Sequence, residues 1–196
     1  MAEIHLRKKL RTQRRSLSSA MQLSFADQIA SILTSQDFFL RAKRIGIYLA
    51  NDGEVNPSII LDICKNSSKQ CFLPAVHPLK INRLHFAQYK DNSVLTTNRF
   101  GIFEPCLKQA KISPPWSLDL ILMPLVGFDR SGNRLGMGGG FYDRTLAFMA
   151  KNNKPSPQLV GLAYSFQEIA QISPQKWDIP VSRIITEKEI IGGSLR

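Results

Sequence analysis

The chain has 196 residues, 43% of them hydrophobic and 21% charged, enough to bury one full core and too few for two ordinary domains. It has no internal repeat, no low-complexity tract and no apolar run of roughly 20 residues, which argues against a solenoid, a disordered tail or a membrane span. An excess of 26 Lys and Arg over 15 Asp and Glu, a net charge of +11, draws anionic partners without choosing among nucleotides, polyanionic cofactors and nucleic acid.

The N-terminal segment concentrates that charge: Arg7, Lys8, Lys9, Arg11, Arg14 and Arg15 fall within nine residues. A solvated helix face and a phosphate-binding helix weigh equally for such a run. No apolar stretch follows it, so a secretory signal is not expected. Ser18 then caps a helix whose stripe is Met21, Phe25, Ile29, Ile32 and Leu33. Residues 44–49 read as a buried strand that delivers the turn Asn51-Asp52-Gly53, and Pro57 opens a helix running through Cys64.

Further strands are expected at 71–73 before Pro74, at 84–89, at 118–123 and at 159–164. The last two are almost continuously apolar, the pattern of strands covered on both faces. The expected fold class is therefore α/β: one domain over residues 1–196, a mostly parallel open sheet with helices on both faces, a Rossmann-like three-layer sandwich. In such folds ligands bind beyond the carboxyl ends of the strands, which singles out residues 49–54 and 124–142.

Cys64, Cys71 and Cys106 form neither a CxxC pair nor a zinc spacing, and an odd count argues against a disulfide framework, so a reducing cytosol is expected. His5, His77 and His85 have no second ligand at a metal-binding spacing.

The stretch richest in chemistry runs from Gly127 to Asp143, GFDRSGNRLGMGGGFYD, between a predicted strand and a helix expected at 141–149. Glycines let backbone N–H groups approach an anion without Cβ interference, and a helix N-terminus adds free donors. Arg134 and Arg144 could add charge-assisted bonds to phosphate. The Gly-Lys-Ser/Thr ending of a P-loop is missing, and residues 136–141 fail the last position of GxGxxG. From the glycines alone, an anion cradle and a tight strand-to-helix turn both stay open.

The run from Asn133 through Arg134, Leu135 and Gly136 to Tyr142 and Asp143, preceded by Met123-Pro124, Gly127-Phe128-Asp129 and Gly132, resembles the signature of the 5-formyltetrahydrofolate cyclo-ligase family. Nearly the whole chain joins in: Tyr48-Leu49 with Glu54, Phe72-Leu73-Pro74, Phe100-Gly101-Ile102 with Glu104-Pro105, Gly161-Leu162-Ala163, and Trp177-Asp178-Ile179-Pro180-Val181. The resemblance implies an ATP- and Mg²⁺-dependent ligase that closes 5-formyltetrahydrofolate to 5,10-methenyltetrahydrofolate in the cytoplasm, as a monomer without nucleic-acid or membrane partners. It implies an ATP loop of Arg134, Leu135, Gly136, Met137, Gly138, Gly139, Gly140, Phe141 and Tyr142, with Arg134 and Tyr142 as the catalytic candidates. Met137 to Phe141 would also border the folate, Leu49 and Glu54 would meet its pteridine, and Asp143 and Asp178 would hold Mg²⁺.

By the same resemblance a basic side chain of the first helix meets ATP. Counting back from Ser18 puts Arg7 in register, with Glu3 where the family carries a lysine; Arg11 offers a second register one helical turn on. Two rival readings stand beside the ligase. A nucleic-acid-binding protein would explain the charge but leave the glycine motif idle, and a sugar-phosphate isomerase or transferase would use an anion loop without ATP.

Overall fold

Apolar runs flanked by turn residues become the middle of the molecule. The computed structural model describes residues 2–151 and 155–192. Its helices are α1 (Ala2–Arg15), α2 (Ser19–Thr34), α3 (Asp37–Arg41), α4 (Ser58–Asn66) and α5 (Phe141–Leu146). Its strands are β1 (Arg44–Gly46), β2 (Gln70–Val76), β3 (Leu84–Tyr89), β4 (Leu95–Thr97), β5 (Phe103–Pro105), β6 (Ile112–Ser113), β7 (Leu120–Pro124), β8 (Gly127–Phe128), β9 (Arg134–Leu135), β10 (Gln158–Leu162), β11 (Arg183–Ile185) and β12 (Ile190–Gly192).

The main sheet has the order β12-β11-β10-β7-β1-β2-β3-β6. Its five central strands, β11 to β2, run parallel, while β12, β3 and β6 pair antiparallel at the two margins. Side chains alternate across it with the two-residue period of a strand. Ile45, Leu120, Leu122, Val160 and Ile185 face a core completed by α2, α3 and α4. Ile121, Met123, Leu159 and Ile184 face the opposite core, which contains Leu146 of α5. This is the expected three-layer α/β sandwich. Among the described residues no helix is long and apolar enough to cross a membrane.

Local chemistry sets the element ends. Ser18 accepts a hydrogen bond from the Met21 N–H, as its position before α2 predicts. The stripe of α2 is the expected one except at its start: Ile29 and Leu33 are buried together with Ala26 and Ala30, Phe25 and Ile32 pack against the same core, and Met21 faces solvent. Pro57 occupies the N-cap of α4, where its missing N–H leaves no helical hydrogen bond unmade. Strand β2 continues through Pro74 to Val76 and does not end before the proline as expected. The ladder to β1 stops at Phe72, so Pro74 lies beyond it and pairs only with β3. The helix expected at 141–149 keeps α-geometry to Leu146 and tightens into a 3₁₀ turn at Ala147–Lys151.

From β1 the chain builds outward through β2 and β3; from β7 it builds the other way through β10 and β11. The loops leaving the carboxyl ends of β1 and β7 therefore diverge, and the crevice between them is where an open α/β sheet takes its ligand.

Candidate active site

A cavity of about 1430 Å³ opens at that crevice. Its walls are the loop after β1 (Tyr48, Leu49, Asp52, Glu54), the segment after β7, the glycine run with the start of α5, one face of α1, the β4–β5 hairpin, and residues 172–179. All the candidate residues named from the sequence border it: Arg7, Arg11, Leu49, Glu54, Arg134, Leu135, the glycines with Met137, Phe141, Tyr142, Asp143 and Asp178.

The loop after β1 is fixed from below. The Tyr48 hydroxyl donates to the Val55 carbonyl at 2.6 Å. Arg14, only 1% exposed, donates from Nε to the Asp52 carbonyl (2.8 Å), from Nη2 to Asp52 Oδ2 (2.7 Å) and from Nη1 to the Leu125 carbonyl (3.2 Å). One buried guanidinium thus ties α1 to the loops leaving both β1 and β7. Asp52 also receives Arg11 at 2.7 Å and Arg15. Burial pushes the Asp52 carboxyl up, but hydrogen bonds from Arg11, Arg15 and Arg14 outweigh it and hold it at about 2.

Arg7, Leu10, Arg11 and Arg14 follow the i, i+3, i+4, i+7 spacing of one helix face, and that face turns inward, while Lys8 and Lys9 are exposed. The basic run is therefore partly site and partly solvated surface. Arg7 Nε donates to the Gly136 carbonyl at 3.0 Å, and its Nη2 pairs with Glu3 at 2.9 Å. Arg7 so touches the glycine run, whereas Arg11 is engaged with Asp52.

Glu54 is the unusual carboxyl. It accepts from the Asn51 N–H at 3.1 Å and lies 3.9 Å from Arg14. Burial raises it to about 7, and the Arg14 charge opposes that only in part. The Tyr142 phenol opposite is raised well above its ordinary range by burial and then by Glu54. Between its ordinary 4.5 and about 7, Glu54 keeps in the folded protein a proton that the unfolded chain has lost. Its contribution to stability is thus full below 4.5 and disappears as pH rises through 7, a change of up to about 3 kcal/mol. Denaturant melts of wild type and Glu54→Gln across this window are expected to differ in slope, with the variant flatter; parallel curves would mean that Glu54 titrates normally.

Arg134 and Asp143 form an ion pair, Nη2 to Oδ1 at 2.6 Å, with 7% and 21% of the side chains exposed. Arg134 Nη1 also donates to the Ile179 carbonyl, and the Ile179 N–H donates to Asp143 Oδ1 at 3.1 Å. Asp178, the residue before Ile179, lines the same cavity as Asp143. Asp178 Oδ2 accepts from the Gln175 N–H at 2.8 Å. These bonds use one oxygen of each carboxylate and, among the described residues, leave Asp143 Oδ2 and Asp178 Oδ1 for another partner. Two carboxylate oxygens at a wet cavity rim fit a hard cation that keeps waters and shares phosphate oxygens, as Mg²⁺ does.

Within the glycine run, Gly138 (φ +90°) and Gly140 (φ +63°) take left-handed backbone. Among the described residues, no acceptor meets the amides of Gly138, Gly139 and Gly140. Three residues of the site carry no signal of their own in the sequence: Arg14, Asp52, and Glu104, which accepts from the Val76 N–H (2.8 Å) and from Asn98 (2.9 Å) to hold the β4–β5 wall.

Fold and site together define a three-layer α/β protein whose ligand cavity, at the carboxyl edge of the sheet, is walled by a glycine-rich strand-to-helix loop and one face of a basic helix. The chain belongs to the 5-formyltetrahydrofolate cyclo-ligase family, whose model matches residues 2–187. It is 34% identical over 181 residues to the 5-formyltetrahydrofolate cyclo-ligase of Escherichia coli K12, covering 92% of this chain and 98% of that one. It is 35% identical over 183 residues to the Haemophilus influenzae enzyme of the same name, covering 91% and 96%. The NMR structure of Aquifex aeolicus 5,10-methenyltetrahydrofolate synthetase superposes with a TM-score of 0.82 at 32% identity, over 100% of this chain and 97% of that one.

Proposed function

We propose that the chain closes 5-formyltetrahydrofolate to 5,10-methenyltetrahydrofolate at the expense of ATP, as a cytoplasmic monomer. The observation that carries this reading is the glycine loop: amides that meet no acceptor among the described residues border one cavity with Arg7, Glu54, Asp143 and Asp178. Family membership and the names of the relatives support the substrate and the product.

A formamide oxygen is a poor leaving group, so the reaction must activate it. The formyl oxygen attacks the γ-phosphorus, the bond to ADP breaks, and an iminium phosphate forms at N5. N10 then attacks the formyl carbon, phosphate departs with the carbon–oxygen electrons, and the N10 proton leaves as the ring closes. Most of the protein's task in such a transfer is positioning and charge neutralisation. Loop amides from Gly138 to Gly140 would hold phosphate oxygens, with Arg7 adding positive charge from α1. Glu54 and Leu49 would receive the pteridine, whose neighbouring N–H groups suit a carboxyl acceptor, and Tyr142 would close that wall. Asp143 and Asp178 would hold Mg²⁺, which when bound neutralises charge on the phosphates. Arg134 acts through Asp143, keeping the carboxylate turned toward the rim.

The test is an absorbance rise from methenyltetrahydrofolate on mixing protein, Mg-ATP and 5-formyltetrahydrofolate. Thermal-shift titration with ribose phosphate and with an RNA oligomer provides the contrast, since a ligand at 100 times its Kd stabilises by about 2.7 kcal/mol. A shift with either of those and none with ATP or folate would overturn the reading.

Arg7→Ala is expected to raise the KM for ATP about tenfold, the loss of one charge-assisted contact of about 1.4 kcal/mol, and to leave the KM for the folate within twofold. The effect should shrink in high salt, because a partly exposed charge is screened over about 8 Å at physiological ionic strength. Arg11→Ala should disturb ATP less, since Arg11 is spent on Asp52; the reverse order would place Arg11 on the nucleotide.

A further inference from the structure

The carbonyl of Gly139 is held by two donors, Asn82 Nδ2 at 2.9 Å and Arg144 Nη1 at 2.7 Å. We propose that Asn82 is a positioning residue for the nucleotide loop, fixing the Gly139–Gly140 peptide so that its N–H faces the phosphates; this rests on the ATP reading above. In a trans peptide the C=O and N–H point in opposite directions. Drawing the carbonyl toward Asn82 therefore turns the Gly140 N–H away from the β2–β3 connection. Gly140 borders the cavity and Asn82 does not.

Asn82 matters more than Arg144 because of where each is anchored. Arg144 belongs to the same strand-to-helix unit as the carbonyl it binds, so it cannot locate that unit on the sheet. Asn82 sits on the connection between two paired strands, and that connection is internally ordered: the His77 N–H donates to the Arg83 carbonyl at 2.8 Å, and His77 Nδ1 accepts from the N–H groups of Leu79 (3.1 Å) and Lys80 (3.0 Å). An acceptor at Nδ1 requires a ring without a proton there, and burial together with Lys80 and Arg83 disfavours the doubly protonated form. A second bond, from the Leu84 N–H to Thr145 Oγ1 at 2.8 Å, joins β3 to α5. The β2–β3 hairpin and the unit of glycine run and α5 are thus joined at two points, and the one on the glycine run itself is Asn82.

The residue type meets two requirements at once. Asn82 has φ +50°, left-handed backbone that few side chains other than Asn, Asp and Gly adopt without strain. Of those three, only Asn brings a neutral donor, and the group it meets is a carbonyl. Asn82→Gly therefore keeps the backbone and deletes the donor, while Asn82→Asp keeps the shape and sets an acceptor against an acceptor.

Steady-state kinetics of both variants, with backbone order parameters of residues 138–141 in the ligand-free protein, test the proposal. Asn82→Gly is expected to raise the KM for ATP about fivefold and Asn82→Asp about tenfold, with the KM for 5-formyltetrahydrofolate within twofold in each. The order parameter of the Gly140 N–H should fall by at least about 0.1, while those of β7 stay unchanged. A fold defect alone would change both KM values or neither. Unchanged order parameters in the loop together with an unchanged KM for ATP would overturn the proposal. If the wild-type chain used no ATP at all, the ligase reading would fall by itself, and the order parameters would still decide whether Asn82 holds the loop.

Discussion

Asp143→Asn is expected to lower turnover with Mg-ATP by at least about 100-fold, on the scale measured when a group stabilising developing charge is removed. The geometry says which way the new amide must turn. Asp143 Oδ1 takes donors from Arg134 Nη2 and from the Ile179 N–H, so the carbonyl oxygen of Asn is forced to that side. Its NH₂ then occupies the position of Oδ2, and a donor faces the place where a cation would sit. Stability should fall by only about 1 to 2 kcal/mol, because the hydrogen bonds survive while the charge is lost, and 21% of the Asp143 side chain is exposed to solvent. Asp178→Asn should be milder, since its amide can rotate once the bond from Gln175 is given up. Turnover across a Mg²⁺ series, beside a denaturant melt, makes the measurement. Unchanged turnover with a normal melt would remove Asp143 from the metal site.

How far the sequence alone reaches depends on whether a feature is local. The strands expected at 118–123 and 159–164 are legible because their side chains are enclosed on both faces and the whole run must be apolar. β11 and β12 have three residues each, too few for a period to show, and they gain their place only by pairing at the sheet margin. β8 and β9 lie inside the stretch that reads as a loop, yet they pair and carry Arg134 to Asp143. Pro74 was read as a strand end because a proline lacks a donor; the short β1 leaves that donor unneeded. The glycine run announced itself, since its residues are contiguous. The Arg14–Asp52 pair did not, being 38 positions apart, although Arg14 shares a helical face with Arg7 and Leu10. An aspartate before glycine satisfies a turn by itself, and Asp52 at φ +54° does make one, which hid its charge partners.

The glycines themselves offer the sharpest test, because the space around them differs. A Cβ on Gly136 would have no protein atom within 4 Å, and the residue does not use positive φ. Gly136→Ala should therefore leave stability within about 0.5 kcal/mol of wild type, or raise it slightly by restricting the unfolded chain. A Cβ on Gly138 also meets nothing, but φ +90° makes it cost about 1 kcal/mol or more. Gly140→Ala is a poorer probe, since its Cβ would lie 2.7 Å from Arg144 Nη1 and disturb the contact to Gly139. If the loop only turns the chain, Gly136→Ala is silent and Gly138→Ala loses activity in step with its folded fraction. If phosphate oxygens lie against the loop, each methyl group competes with them for the open side. Then Gly136→Ala and Gly138→Ala should both raise the KM for ATP at least tenfold per folded molecule, with Gly138→Ala also lowering kcat because its amide is displaced. Measuring turnover at saturating folate over a range of ATP, with a denaturant melt of each variant, separates the two cases. Full activity per folded molecule in both would leave the amides of this loop without a phosphate to bind, and the ATP-dependent reading without its main structural support.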